Sequence, residues 1–472
     1  MKSFFIFNTT PVKYLDIVVS KASILSVYLI IMSINCFFMA VYAQEVDYRY
    51  LKKKDLETGN YLNRITTAKI EGYEGNQDKK VTEYWEKSRD NFIENIEDSL
   101  FIYSESIDLR VGDILRKIYR SNPEIDHSDF KFVVRTSPIP NASSYGNGIF
   151  AIHNGLFSIT DSDDEIAFIL CHEIAHYKLK HIDESIETFF RNTESKAAKD
   201  QISEIKARRY GQFSMAREFF QDLSFLMRKN SRQAEISADS LGNTYYSKTT
   251  YAPQAASEIL EKLDFDEGAF FNHPTDLKKY FSFEEYPFKD YWTKKEETNL
   301  FSIEKPDNEY SLNEDSLRTH PAVKERANIL REHIDQNKPK ISTNSAELRS
   351  ISALISTHVA LDRKQFDLAL YFLLQQYELG NINAEEFNIQ IATLLRKIYE
   401  LKGSHSIGKY ISPENPFSKE EELDKLRRFI VNIEMKNTRK IGYWFCVYNK
   451  ASLSTTTKGK DLINYFENIN AN

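Results

Sequence analysis

Three histidines and one glutamate stand close together in the segment ILCHEIAHYKLKH, residues 169–181. On an α-helix, residues four apart project from nearly the same side, about 40° apart around the axis. His172 and His176 could therefore hold one metal ion from a single helical face. Glu173 would lie beside that ion, about 100° from His172, where a general base could act on a water molecule. The spacing predicts a metal centre with hydrolytic chemistry.

The third histidine does not meet the same geometric condition. His181 follows His176 by five residues, which is about 140° of rotation on a continuous helix. The residues between them, YKLK, include no helix breaker, so we expect the helix to continue and His181 to serve in packing or capping. Cys171 points about 100° away from His172 and is expected to lie in the core.

A catalytic zinc site needs a third protein ligand and leaves the fourth position for water. The segment NSRQAEISADSLGNTYY, residues 230–246, offers Glu235 and Asp239, again four residues apart. One carboxylate could bind the metal, and the other could accept the free ring N–H of a ligand histidine. The small and apolar neighbours indicate a packed helix, and the alternative is a solvated acidic face.

Two local patterns indicate how these residues are positioned. The sequence SDDE at 162–165 resembles a capping box with acidic residues in the first helical turn, and an apolar run follows it. The sequence GNGIFAIHNG at 146–155 predicts a strand bounded by glycines, on which His153 is an ordinary strand residue. We therefore expect a small sheet beside a buried helix that carries the two histidines.

The motifs together resemble the HtpX-like and CAAX-prenyl-endopeptidase-like zinc metallopeptidases. The likeness covers roughly residues 95–335 and rests on five segments in order: PNASSYGNGIFAIHNGLFS, SDDEIAFILCHEIAH, AEISADSLG, TTYAPQAASEILEKL and THPAVKERANIL. The chain differs from the usual family pattern by a long charged insertion between His176 and Glu235.

The resemblance implies one Zn²⁺ per chain and a role for each matching residue. The implied zinc ligands are His172, His176 and Glu235, with Glu173 as general base and Asp239 and Arg326 as supporting residues. The implied substrate-pairing strand at the cleft edge comprises Gly148, Ile149, Phe150 and Ala151. An extended, unfolded polypeptide is the substrate that such a strand would bind.

A further histidine is expected to assist at the metal or at the developing oxyanion, and two positions compete for this role. We favour His320, because Arg326 follows it at the family's offset, whereas Lys279 stands at that offset after His273. His273 remains the alternative, since it lies closer in sequence to Glu235.

Composition limits the other classes of function. The chain has 472 residues and a formal net charge of −7, and it shows no basic patch of the kind that binds nucleic acid. Residues 1–43 combine lysines with a long apolar run that ends at Ala43, which predicts a signal peptide or an uncleaved membrane anchor. We therefore expect an exported protein of the periplasm or cell envelope, with membrane association if the anchor is retained.

The predicted fold class is α+β and predominantly helical. It comprises a helical segment at 44–95, a gluzincin-type peptidase domain at 96–335 with insertions near 184–230 and 265–318, and a helical C-terminal domain at 346–472. The C-terminal helices have tetratricopeptide-like character without a clear 34-residue period, and they could bind a protein partner. We expect a zinc endopeptidase that acts on unfolded or misassembled proteins; the alternative is a metal-containing binding module or chaperone that cuts little.

Overall fold

Helices make up most of the described chain, with one small sheet among them, as the sequence predicts. The computed structural model describes residues 48–56, 58–71, 76–127, 130–207, 231–264, 270–295, 323–332, 344–414 and 420–471. All of these residues belong to one compact unit, Val46–Asn472. The predicted leader at 1–43, His320 and the insertion residues 208–230 lie outside the described residues.

The sheet has five short strands in the order β1-β2-β3-β5-β4. They are β1 (Arg49–Tyr50), β2 (Phe101–Tyr103), β3 (Lys131–Arg135), β4 (Ala142–Ser144) and β5 (Ile149–His153). β3 and β5 are parallel, and the other pairs are antiparallel. The predicted strand around residues 148–153 is thus β5, and it is paired on both sides.

The described helices before residue 231 are α1 (Thr58–Ile70), α2 (Asn76–Glu97), α3 (Glu105–Ser121), α4 (Asn154–Ile159), α5 (Asp163–Lys178), α6 (His181–Glu194) and α7 (Lys196–Ala207). Residues 231–247 form helix α8, which is followed by α9 (Ala255–Lys262), α10 (Leu277–Phe281) and α11 (Val323–Glu332). The C-terminal helices are α12 (Ala346–Asp362), α13 (Phe366–Glu378), α14 (Ala384–Gly403), α15 (Glu421–Asn432), α16 (Met435–Tyr448), α17 (Lys450–Leu453) and α18 (Thr457–Ala471).

Helix α5 lies within one of the two main hydrophobic clusters of the protein. Its residues from Asp163 to Ala175 are all buried, which is typical of a helix packed on every side. Ser162 caps it by accepting a hydrogen bond from the backbone N–H of Glu165, as the SDDE pattern predicts. The Glu165 carboxylate accepts in return from the backbone N–H of Asp161, one residue before the cap.

Helix α12 joins the two main hydrophobic clusters. Its residues Leu348, Ile355 and Val359 belong to the cluster that contains α5 and sheet residues, whereas Ala353 and Ala360 belong to the cluster of the C-terminal helices. Residues 277–292, which fall within the predicted insertion at 265–318, also contribute to the C-terminal cluster. The proposed domain boundaries, and the tetratricopeptide-like character, stay predictions. Within the described ranges, no helix combines the length and apolar composition that crossing a bilayer requires.

Candidate metal centre

Two imidazoles and one carboxylate converge at the predicted position. The Nε2 atoms of His172 and His176 are 2.9 Å apart. Glu235 Oε2 lies 3.6 Å from the first of these atoms, and Glu235 Oε1 lies 3.5 Å from the second. Zn–ligand bonds of about 2.0–2.2 Å in a tetrahedral arrangement separate two ligand atoms by roughly 3.3 Å. The three side chains therefore fit a Zn²⁺ ion, and such a set leaves one position open for water or substrate.

Close approach of two helices brings these ligands together. The histidines lie on α5, and Glu235 lies on α8. A Cβ atom added to Gly242 of α8 would lie only 3.0 Å from the Cα of His172 and 3.1 Å from its backbone nitrogen. Any larger residue would push the two backbones apart by a few tenths of an ångström, so Gly242 allows the observed distance between α8 and α5 at His172.

Asp239 and Arg326 both contact the candidate ligands. Asp239 Oδ1 lies 2.9 Å from Nδ1 of His172, on the side of the ring that faces away from the converging Nε2 atoms. Arg326 of α11 donates to both oxygens of Asp239, with Nε at 2.6 Å and Nη2 at 2.8 Å. Its Nη1 lies 2.8 Å from Glu235 Oε2. One guanidinium thus holds the carboxylate of the candidate ligand Glu235 and the carboxylate that contacts His172.

The charges of this cluster shift the pKa of its members in opposite directions. Burial would lower the pKa of His172, but the contact with Asp239 and the charge of Glu235 raise it overall. Burial and repulsion by His172 lower the pKa of His176 to about 3. Burial opposes ionisation of Asp239, yet the hydrogen bonds from Arg326 and His172 lower its pKa. Asp239 is therefore ionised and His176 is neutral near pH 7, as a metal site requires.

Glu173 lies directly after the first ligand and is buried, with 7% of its surface exposed. Its charge contributes to the raised pKa of Arg326, where the hydrogen bond to Asp239 and the charge of Glu235 outweigh the effect of burial. A carboxylate beside the open metal position can act as a general base for water. Cys171 is fully buried in the core, as the helical geometry predicts.

The structure corrects the expected course of the chain at His181. Helix α5 ends at Lys178, and Lys180 adopts the left-handed conformation with φ of 57°, so His181 begins a new helix instead of continuing α5. The reversal returns His181 toward the site, where its Nδ1 lies 2.9 Å from Nδ1 of His176. On the unbroken helix that the sequence predicts, His181 would point away from His176 and this contact would not form.

The predicted substrate strand is also not at the sheet edge. Gly148 precedes β5, and Ile149, Phe150 and Ala151 pair with β3 on one side. On the other side, Phe150 and Ala151 pair with β4, and the backbone carbonyl of Ile149 accepts a hydrogen bond from Tyr145. The prediction that these residues form the cleft edge is therefore wrong. Within the described ranges, the outer strand on this side of the sheet is β4, Ala142–Ser144.

The two candidates for the assisting histidine have different outcomes. The backbone N–H of His273 donates to the hydroxyl of Tyr371, and its Nε2 lies 3.4 Å from a carboxylate oxygen of Glu378, so its contacts are with α13. His320 lies outside the described residues, and its role stays a prediction.

Comparison with known proteins supports a metallopeptidase. Residues 108–334 match the model of peptidase family M48. This range contains the three candidate ligands, Glu173 and the supporting pair Asp239 and Arg326. No curated protein matches the chain. The family match indicates metal-dependent peptide hydrolysis by this region, with a polypeptide as substrate.

Proposed function

We propose that the protein is a zinc-dependent endopeptidase that cuts extended, unfolded polypeptides. The observation that carries the proposal is the convergence of His172 and His176 with Glu235, whose ligand atoms lie within 4.8 Å of one another, and the next residue after His172 is the buried Glu173. Two histidines and a glutamate form a donor set of catalytic zinc sites, in which the fourth position stays open. A bound Zn²⁺ ion would supply the electrophile that polarises the scissile carbonyl and acidifies the attacking water.

The chain's own residues would carry the proton transfers. Glu173 accepts a proton from the attacking water and delivers it to the leaving amine. Arg326 and Asp239 hold Glu235 and the ring of His172 in place, so that the ligand atoms do not reorganise during the reaction. We assign the stabilisation of the developing oxyanion to a second donor and retain His320 as the candidate.

Strand β4 is the segment that we propose to pair with the substrate backbone. Tyr145 and Asn141 form hydrogen bonds to β5 on either side of β4. By strand alternation, the backbone N–H and C=O groups of Ala142 and Ser144 point away from β5. A peptide that adds to this edge would be recognised mainly through its extended backbone, which favours unfolded substrates.

The decisive test compares the wild type with Glu173→Gln. We expect about one Zn²⁺ per chain in both proteins, cleavage of casein by the wild type, and a rate at least about 10²-fold lower in the variant. Glu261→Gln, at an exposed ion pair with Arg331, is the matched control and should cleave like the wild type. Zinc binding by both proteins without cleavage of any unfolded substrate would favour the binding module. If the wild type contained no zinc, the proposed metal site would be wrong.

The cellular role belongs to the same proposal. The predicted leader at 1–43 supports export, and preference for unfolded chains fits quality control of misassembled proteins in the periplasm or cell envelope. The C-terminal helices are the proposed contact region for a protein partner. Fractionation of cells that express the full chain, with and without residues 1–43, tests export and membrane association.

A further inference from the structure

A continuous chain of hydrogen-bonding groups connects the second ligand histidine to helix α8. Nδ1 of His176 lies 2.9 Å from Nδ1 of His181. Nε2 of His181 lies 3.0 Å from the hydroxyl of Ser237. That hydroxyl in turn donates to the backbone carbonyls of Gln233 and Ala234, at 2.9 and 3.0 Å.

Binding of a metal at Nε2 of His176 fixes the direction of every bond in this chain. The ring must then carry its proton on Nδ1, which makes His176 the donor and Nδ1 of His181 the acceptor. His181 consequently carries its own proton on Nε2 and donates to Ser237. The Ser237 hydroxyl accepts this bond and donates to a carbonyl of its own helix. At each contact in this series of hydrogen bonds, one group is then the donor and the other is the acceptor.

The backbone around His181 holds the ring in this position. The left-handed Lys180 reverses the chain directly after α5. Asp183, two residues after His181, forms an ion pair with Lys69 of α1 at 2.8 Å, and both side chains are largely buried. A Cβ atom on Gly146 would lie 2.7 Å from Ile182, so the loop before β5 packs directly against this turn. The position of His181 is therefore determined by contacts on several sides.

We propose that His181 and Ser237 are positioning residues that orient His176 for metal binding. Helix α8 would then serve both ligand histidines, with Asp239 acting on His172 and Ser237 acting on His176 through His181. On the same helix, two residues before Ser237, Glu235 supplies the third ligand. The inference rests on the proposed metal site and deepens it, because it explains how the second imidazole is held in one tautomer and one orientation.

The test measures Zn²⁺ affinity by competition with a chelator. His181→Phe keeps a ring but removes the acceptor, and we expect affinity to fall about 10–100-fold. His181→Asn retains an acceptor atom close to the position of Nδ1 and should bind zinc nearly as well as the wild type. Ser237→Ala removes the acceptor for His181 and should lie between the two. The visible spectrum of the Co²⁺-loaded protein should change in His181→Phe and not in His181→Asn.

Matched controls separate positioning from general damage to the fold. His358→Phe removes a histidine that contacts Gln390 of α14, and Ser247→Ala removes an exposed hydroxyl that bonds to Thr244 on α8. Both should bind zinc like the wild type. Circular dichroism of the metal-free proteins checks folding, and if His181→Phe does not fold, the order of wild type, His181→Asn and Ser237→Ala decides.

Two results overturn the inference while leaving the proposed peptidase intact: equal zinc affinity in the wild type and His181→Phe, or equal losses in His181→Phe and His181→Asn. If His181→Phe is unfolded, unchanged affinity in Ser237→Ala overturns it. A wild type that binds no zinc overturns both the inference and the proposed function.

Discussion

One guanidinium serves two carboxylates at the metal centre, and all three groups are buried. Arg326 is 6% exposed and contacts both Asp239 and Glu235. In a buried environment, the cost of removing such charges from water is offset only while the pairing is complete. Arg326 is therefore required for the apo site to exist as a folded arrangement, before any metal binds.

We predict that Arg326→Gln destabilises the metal-free protein by about 3–5 kcal/mol, because two buried carboxylates lose their common partner. Urea unfolding in the presence of a chelator measures this change in the free energy of unfolding. Arg331→Gln is the control on the same helix, since Arg331 forms an exposed pair with Glu261, and it should cost less than about 1 kcal/mol. Equal losses in the two variants would show that the buried network does not stabilise the fold.

The ligand residues could be predicted from sequence because their geometry is local. Residues four apart on a helix share a face whatever surrounds the helix, so the pairs on α5 and α8 could both be predicted from their spacing. The position of His181 could not be predicted in this way, because it depends on where α5 ends. That end is supported by the ion pair between Asp183 and Lys69, residues that are 114 positions apart in the chain.

At the scale of elements, the site depends on how closely α8 approaches α5. Gly242 makes this approach possible at His172, and the other functional groups of α8 lie within two turns of it. A small separation of the two helices would move Glu235 and Asp239 together relative to the histidines. Metal affinity is thus sensitive to a residue that has no functional group.

Gly242→Ala should weaken zinc binding by roughly tenfold, because the added methyl group would contact the backbone of His172 and displace the ligands of α8. Chelator competition measures the effect. Gly112→Ala on α3 is the control: its methyl group would meet only Arg116, at 3.6 Å, and the change should stabilise the helix by about 0.5–1 kcal/mol without altering zinc affinity. Unchanged affinity in Gly242→Ala would contradict this account of the helix contact.

Strand β5 carries a group that should make folding sensitive to acid. Burial lowers the pKa of His153 to about 4, and the hydrogen bond from its ring to the carbonyl of Ile139 offsets burial only in part. Protonation is disfavoured in the folded protein, so the unfolded chain binds the additional proton as the pH falls. The stability contributed by the neutral ring is complete above about pH 6.5 and is lost as the pH falls toward 4.

Between about pH 6.5 and 4, His153→Asn should lose up to about 3 kcal/mol less of its free energy of unfolding than the wild type. The reason is that the amide keeps a donor for Ile139 and does not titrate. Urea unfolding between pH 4 and 7.5 measures the free energy for both proteins. The comparison isolates His153, because every other histidine is present in both proteins. Parallel curves across this range would show that His153 titrates alike in the folded and unfolded states.

The arrangement of the sheet was less predictable than the helices. The run from Ile149 to His153 is apolar enough to predict a strand, but its place in the sheet depends on partners elsewhere in the chain. The outer strand β4 has three residues, Ala142–Ser144, with no apolar alternation that would mark it as an edge. Pairing depends on the partner strand as well as on the strand itself, so the substrate edge could not be located from the apolar pattern of β5 alone.

In the molecule as a whole, α12 connects the hydrophobic cluster that contains α5 to the C-terminal helices. Besides its apolar contacts with both clusters, it forms buried polar contacts to α4. The amide of Asn154 donates to the carbonyl of Ser352 and to the hydroxyl of Ser356, and Ser352 donates back to the carbonyl of Asn154. These bonds are costly to break without replacement, so α12 cannot leave either cluster independently.

Zinc should therefore stabilise the C-terminal helices together with the peptidase region, although no predicted ligand lies in them. A ligand that binds only the folded state, at 1,000 times its Kd, contributes about 4 kcal/mol. We expect calorimetry to show one transition, shifted as a whole to higher temperature by zinc, and no shift in His176→Ala, which lacks a ligand. Two transitions, of which only one responds to zinc, would show that α12 does not couple the clusters and that the C-terminal helices unfold as a separate domain.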